Sequence, residues 1–144
     1  MYQIEDIAVE KISCIRNLWE KLNKLHYEDS VYFEDFYESF SFEERIGRFR
    51  NLGAEDLKIT IVKDGPRFLG YCISTKEEKN GEIDSIYLED EVQGRGVGKK
   101  LVQDHVKWLK ESGCSRIRVA VSYGHEKGVE DFYHHLGFFK RLTN

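Results

Sequence analysis

The sequence predicts an α/β chain of the α+β kind, with its elements in the order βααβββαβαβ. Three observations point there. Apolar residues return at helical spacing in two long stretches, two turn signals join three alternating segments in the middle of the chain, and a strand, a helix and a last strand close it.

Tyr2, Ile4 and Ile7 suggest a short first strand. Ile12, Ile15, Leu18, Trp19, Leu22 and Leu25 then place a helix from about Val9 to His26. The stretch "YEDSVYFEDFYESFSFEE" that follows is rich in aromatics and acids and holds no Lys or Arg. Ser41 and Glu44 have capping-box spacing, so a second helix is predicted from near Phe42 to near Leu52, with Gly53 as its stop. From Leu57, "LKITIVKD" alternates as a half-buried strand does, Asp64-Gly65 signals a tight turn, and "RFLGYCIST" returns as its partner. A second signal, Asn80-Gly81, introduces "EIDSIYL" as a third antiparallel strand. Leu101, Val102, His105, Val106, Trp108 and Leu109 form one stripe of an amphipathic helix that starts near Val97 and stops at Ser112-Gly113. "RIRVAV" reads as a strand, "EKGVEDFYHHL" as a helix and "GFFKRL" as a last short strand. No repeat, linker or low-complexity tract interrupts 1–144, which reads as one domain.

A chain of 144 residues with 40% hydrophobic and 33% charged residues has the balance of a soluble globular protein. The net charge of -4 gives no broad basic face and argues against nucleic acid as a partner. Cys14, Cys72 and Cys114 are odd in number, widely separated and form no CxxC pair. They predict neither a disulfide framework nor a thiolate metal site, and fit a reduced, cytoplasmic setting. The N-terminal "MYQIEDIAVEK" lacks the basic and apolar regions of a signal peptide, and no segment is long and apolar enough to span a bilayer.

The segment "DEVQGRGVGKKL" places glycines at 94, 96 and 98. A Walker loop fails here, because Gln93 stands where its first glycine belongs and Lys100 replaces its Ser or Thr. A dinucleotide fingerprint fails as well, because position 99 is Lys and the preceding strand belongs to an antiparallel run. The pattern [QR]xxGx[GA] is matched by Gln93, Gly96 and Gly98 at a strand-to-helix junction. Uncovered amides and the N-terminal end of the helix dipole make such a junction a small anion site of pyrophosphate size. Arg95, Lys99 and Lys100 are candidates for outlying phosphates, although the two lysines suit a solvated helix face better.

From Glu82 to Phe138 the chain resembles the GNAT superfamily of acyl-CoA-dependent N-acyltransferases: "EIDSIYL", "QGRGVGKKL" and "FYHHLGF" follow in the family's order. The resemblance implies a central mixed, mostly antiparallel sheet flanked by helices, with "EIDSIYL" and "RIRVAV" splayed to admit the arm of acetyl-CoA. It implies an acetyltransferase that needs acetyl-CoA as co-substrate and no metal. Gln93, Gly94, Arg95, Gly96, Val97, Gly98 and Lys99 would hold the cofactor, and the backbone N–H of Leu88 would polarise the thioester carbonyl. Tyr133 stands where relatives place the tyrosine that protonates the leaving thiolate. Glu82, eleven positions before Gln93, stands where some relatives that acetylate proteins place a base, and it shares a strand face with Asp84. The chain departs from the family at Glu126 and Val129, where many relatives have Asn and Ala; Ser122 and His125 are nearby polar groups.

His105, inside the apolar stripe, reads as a hydrogen-bonded core histidine. His134 and His135 face different directions and form no chelating pair, and the cysteines read as small buried residues. The acids and aromatics between Tyr27 and Glu44 would suit a small cationic amine through Coulomb attraction and cation-π contact, or else pack a core and face water. The expected acceptor is a primary amine on a small metabolite or antibiotic-like molecule. The alternatives are a protein or peptide amine, or binding of acyl-CoA without turnover. An exposed edge strand or aromatic patch would support a homodimer.

Overall fold

Antiparallel pairing of neighbours in sequence builds most of the sheet in the computed structural model, which describes residues 2–29 and 42–119. The strands are β1 (Gln3–Ile7), β2 (Leu57–Asp64), β3 (Arg67–Glu77), β4 (Asn80–Leu88) and β5 (Arg116–Val119), in the spatial order β1-β2-β3-β4-β5. The first three pairings are antiparallel, and β4 runs parallel to β5 with Asn80–Ile83 opposite Arg116–Val119. The sheet is therefore mixed and mostly antiparallel, as expected. Between β1 and β2 lie a 3-10 turn (Val9–Ile15), α1 (Arg16–Asp29) and α2 (Phe42–Arg50), and α3 (Val97–Glu111) joins β4 to β5. The splay expected between "EIDSIYL" and "RIRVAV" is absent where the two strands pair, over Asn80–Ile83 and Arg116–Val119, and the end of "RIRVAV" lies outside the described residues, as do the last predicted helix and strand.

Two apolar layers enclose the sheet. On one face Ile59, Ile61, Tyr71 and Ile73 pack against Ile12, Ile15, Leu18 and Trp19, with Ile46 and Phe49 of α2. On the other, Val62, Cys72 and Ile83 meet Val97, Leu101, Val102 and Leu109 of α3. β2 is thus buried on both faces through its centre, not half-buried as its alternation suggests. Thr60 mimics a solvent-facing position in the sequence, but its hydroxyl is hydrogen-bonded within the core. Thr60 Oγ1 donates to Asp6 Oδ1 at 2.6 Å and lies 2.8 Å from His105 Nε2, while His105 Nδ1 lies 2.6 Å from Ser74 Oγ.

Two other expectations shift. The predicted first helix opens as a 3-10 turn before α1 and reaches Asp29, three residues beyond His26. The turn read from Asn80-Gly81 falls instead on Glu78–Lys79, with Glu77 paired to Asn80 and Glu78 at φ 57. Gly81 is needed for close packing: a Cβ there would stand 2.8 Å from Leu109 Cδ2 and 3.1 Å from Cys114 Sγ. The first hairpin forms as expected, with its turn one residue later than the Asp64-Gly65 signal, on Gly65–Pro66, and Gly65 at φ 60.

Candidate active site

β4 carries the candidate chemistry, and a bulge decides where its side chains point. Ile73 pairs with Ser85 and Ser74 pairs with Ile83, so Asp84 is the extra residue of a β-bulge. Glu82, paired with Thr75, faces the α1–α2 layer together with Asp84 and, because of the bulge, Ser85. The shared face of Glu82 and Asp84 follows from strand alternation. The addition of Ser85, whose Oγ is 2.7 Å from Tyr71 Oη, does not.

Each acid on or beside this face has a cationic neighbour from a different element. Glu82 Oε2 accepts from Arg118 Nη2 of β5 at 3.3 Å. Asp84, with a side chain only 3% exposed, accepts from Thr75 Oγ1 at 3.2 Å. It also faces both arms of the Arg48 guanidinium of α2 at 3.4 Å. Glu89, just past the strand, is 3.0 Å from Lys21 Nζ of α1. Burial and a hydrogen bond to Glu89 push the Tyr87 phenol up to about 12, so this tyrosine keeps its proton for Glu89. Arg48 and Lys21 escaped the sequence reading because contacts between residues 36 and 68 positions apart leave no local pattern, and Tyr87 escaped it because a strand tyrosine carries no sign of its partner.

The other half of the site is the loop from Leu88 to α3. Gly94 and Gly96 have φ of 77° and 80°, in the region where a side chain is strained, and Gly96 is the N-cap of α3. Gly96 supplies no side-chain cap, and the first intrahelical bond runs from the Lys100 N–H to the Gly96 carbonyl. The amides of Val97, Gly98 and Lys99 therefore have no acceptor within the helix. The first turn of α3 contains no acid and carries Lys99 and Lys100, the reverse of what a helix dipole favours. An anion at this end resolves both features.

Gln93 and Arg95 are turned into the loop itself. Gln93 Nε2 donates to the Leu88 carbonyl at 3.0 Å, bracing the end of β4, and Arg95 Nε donates to the Glu91 carbonyl at 3.0 Å. The Arg95 guanidinium also sits 5.9 Å from the Tyr2 ring centroid. Lys100 pairs with Asp104 at 3.2 Å on the exposed face of α3, which fits the solvated reading of that lysine. The structure thus gathers Gly94, Gly96, Val97, Gly98 and Lys99 at one helix end, with Leu88 and Gln93 at the adjoining strand end and Glu82 farther back on β4. Tyr133, Glu126, Val129, Ser122, His125, His134 and His135 lie outside the described residues, as does most of the acidic and aromatic stretch.

The remaining side chains narrow the chemistry. His105 is fully buried on the inner face of α3, and desolvation pushes its pKa down to about 4. Cys72 and Cys114 are buried, and burial raises the thiol pKa of all three cysteines, which opposes thiolate formation. Among the described residues no three of His, Cys, Asp and Glu gather as a metal site, and no helix is long and apolar enough to cross a membrane.

Comparison with known proteins agrees with this architecture. A model of the acetyltransferase (GNAT) family matches residues 17–138. A thialysine N-epsilon-acetyltransferase of Bos taurus is 31% identical over 91 residues, 60% of this chain and 53% of the relative. The chain spans about half the length of the curated thialysine acetyltransferases it matches. Among solved structures, the PaiA N-acetyltransferase of Thermoplasma acidophilum, in complex with coenzyme A, superposes with a TM-score of 0.74 and 22% identity, over 100% of this chain and 93% of the other. An aminoglycoside acetyltransferase from an uncultured soil metagenomic sample, in complex with sisomicin, gives 0.69 and 16%, over 99% and 93%. At these identities the two superpositions show the fold.

Proposed function

The chain belongs to the acetyltransferase (GNAT) family, and on that premise we propose that it moves an acetyl group from acetyl-CoA to a primary amine of a small cationic molecule. The observation that carries the proposal is the uncapped, acid-free start of α3 behind Gly94 and Gly96. Three free amides, a helix dipole and Lys99 converge there, and together they fit a pyrophosphate. Acetyl-CoA supplies the acetyl group as a thioester, a carbonyl activated toward an amine.

The chain's own groups do the rest. Gly94, Arg95, Gly96, Val97, Gly98 and Lys99 hold the phosphates, Gln93 fixes the end of β4, and the Leu88 N–H polarises the thioester carbonyl. An alkyl amine of pKa about 10.4 is neutral in only about one molecule in a few thousand at pH 7. Glu82 assists by taking its proton, directly or through a water. Tyr133 returns a proton to the departing thiolate, whose conjugate thiol has a pKa near 8.5.

A cationic acceptor suits the acids on and beside the β4 face. It is also in keeping with the amine named for the bovine relative and with the aminoglycoside bound by one structural neighbour. The test is release of free thiol from acetyl-CoA against a panel of polyamines, aminoglycosides, amino acids and short peptides, with Tyr133→Phe beside the parent protein. Activity on a small amine that falls in the variant, with acetyl-CoA affinity kept, is the expected result. Activity on peptides alone would move the acceptor to a protein amine. Binding of acetyl-CoA with no turnover on any amine would leave a non-catalytic binder.

A further inference from the structure

Asp84 is buried to 3% exposure at its side chain, whereas the side chain of Arg48, whose guanidinium stands 3.4 Å away on both arms, is 49% exposed. Charge-assisted hydrogen bonds between nitrogen and a carboxylate close to about 2.7–2.9 Å when nothing prevents it. The carboxylate lies in the interior, and the cation beside it is held beyond that distance on a side chain half exposed to water. We propose that Arg48 is an internal stand-in for the acceptor: an ammonium group of a cationic acceptor replaces the guanidinium at Asp84, and Arg48 swings out to solvent. This inference rests on the amine-transfer reading above and deepens it by naming the residue that recognises the acceptor's charge and the residue that competes for it.

Charge conservation favours exchange over simple addition. Among the described residues Glu82, Asp84 and Glu89 each already have a cationic neighbour, in Arg118, Arg48 and Lys21, so a further cation would meet carboxylates that are already paired. Replacing Arg48 by an ammonium exchanges one cation for another beside Asp84 and never strands a buried carboxylate, a strongly unfavourable state. Of the three carboxylates Asp84 is the most buried, at 3% against 26% for Glu82 and 23% for Glu89. A cation that reaches it therefore gains most from the low dielectric. A compact ammonium with three donors also approaches a recessed carboxylate more closely than a planar fork reaching across from a neighbouring helix. Thr75 stays in place throughout, its hydroxyl 3.2 Å from Asp84 Oδ2, and keeps the carboxylate oriented while its counter-ion changes.

An internal competitor weakens apparent affinity by the fraction of molecules in which it vacates the site, so its removal has the opposite sign from the loss of an ordinary binding residue. The experiment is calorimetric binding of spermidine and of free lysine, in the presence of coenzyme A, to the parent protein, Arg48→Gln and Asp84→Asn. Coenzyme A binding to each is measured first. Arg48→Gln is expected to tighten spermidine by about three- to tenfold, and Asp84→Asn to weaken it by at least about tenfold, with coenzyme A affinity unchanged in both. Unchanged or weaker spermidine binding in Arg48→Gln overturns the exchange. So does a loss of lysine binding confined to that variant, because Arg48 would then be holding a substrate carboxylate. A parent protein that binds coenzyme A but no spermidine at about 10 mM overturns the exchange and spares the transfer reading. One that binds neither overturns both. If Asp84→Asn fails to fold, the sign of the Arg48→Gln effect decides alone.

Discussion

His105 lies wholly inside the molecule with a hydroxyl on each ring nitrogen, and those partners fix its chemistry. Thr60 gives its one hydroxyl proton to Asp6, so it accepts from Nε2–H, and Nδ1 is left bare to accept from Ser74. A neutral imidazole satisfies every partner. Desolvation, then the nearby Lys58 charge, pushes the folded-state pKa from 6.5 to about 4. Between those values the unfolded chain binds the extra proton, so stability rises with pH: the contribution is complete above about pH 6.5 and lost as pH falls toward 4. Its size is up to roughly 3 kcal/mol. Asp6 acts in the same sense at more acid pH. Burial raises its pKa, but hydrogen bonds from Lys58 and Thr60 more than offset this and hold it below the ordinary carboxylate value, so its contribution is lost as pH falls through that lowered pKa. Urea unfolding from pH 7 to pH 4 checks the histidine. His105→Gln keeps a donor and an acceptor but does not titrate there, and should flatten the slope. An equal slope in the variant would assign the acid sensitivity elsewhere.

The contact between α3 and β4 shows what an element needs from a single position. Leu109 is fully buried, and its Cδ2 stands where a side chain on Gly81 would have to go. Gly81→Ala should therefore cost about 1–3 kcal/mol, as overpacking does, and lower the urea midpoint without changing the slope. Gly47, exposed on α2 with nothing within 4 Å of an added Cβ, gives the contrast. Gly47→Ala should stabilise by about 0.5–1 kcal/mol through helix propensity. Equal effects from the two would remove the packing argument. These elements also mark where the sequence is legible. The helix stripe of α3 and the alternation of β2 to β4 are local periodicities, so the existence, type and order of these described elements followed from them. Thr60 misled about the burial of β2, because a polar residue satisfied inside a core has the same letter as one facing water. Asn80-Gly81 misled about the turn, because glycine serves close packing as readily as left-handed backbone. Within the site, the glycine loop was readable because its spacing is the signal. The bulge at Asp84 and the reach of Arg48 were not, since both depend on register between strands and on packing between distant segments.

Across the whole molecule, the sheet separates two kinds of charge chemistry. α3 lies on one face and presents free amides and lysines at its start, while α1 and α2 lie on the other and bring cations to the acids of β4. β4 touches both layers, so a molecule with an anionic end at α3 and a reacting group beside β4 would bridge them. Such bridging should appear as stability, because a ligand that binds only the folded chain stabilises it in proportion to the logarithm of its concentration. At 100 times its Kd, coenzyme A should add about 2.7 kcal/mol and raise Tm by on the order of 5–15 °C for a chain of this size. Gly96→Ala separates the contribution of the loop. Its φ of 80° costs a side chain about 1–2 kcal/mol, so the unliganded variant should melt lower. The amides that follow would also turn away from a common point, so the coenzyme A shift should shrink as well. Thermal melts of both proteins with and without the ligand read the two effects independently. A lowered Tm with an undiminished shift would mean that the loop only shapes the junction and that the phosphates are held elsewhere, which would remove the observation on which the transfer reading rests.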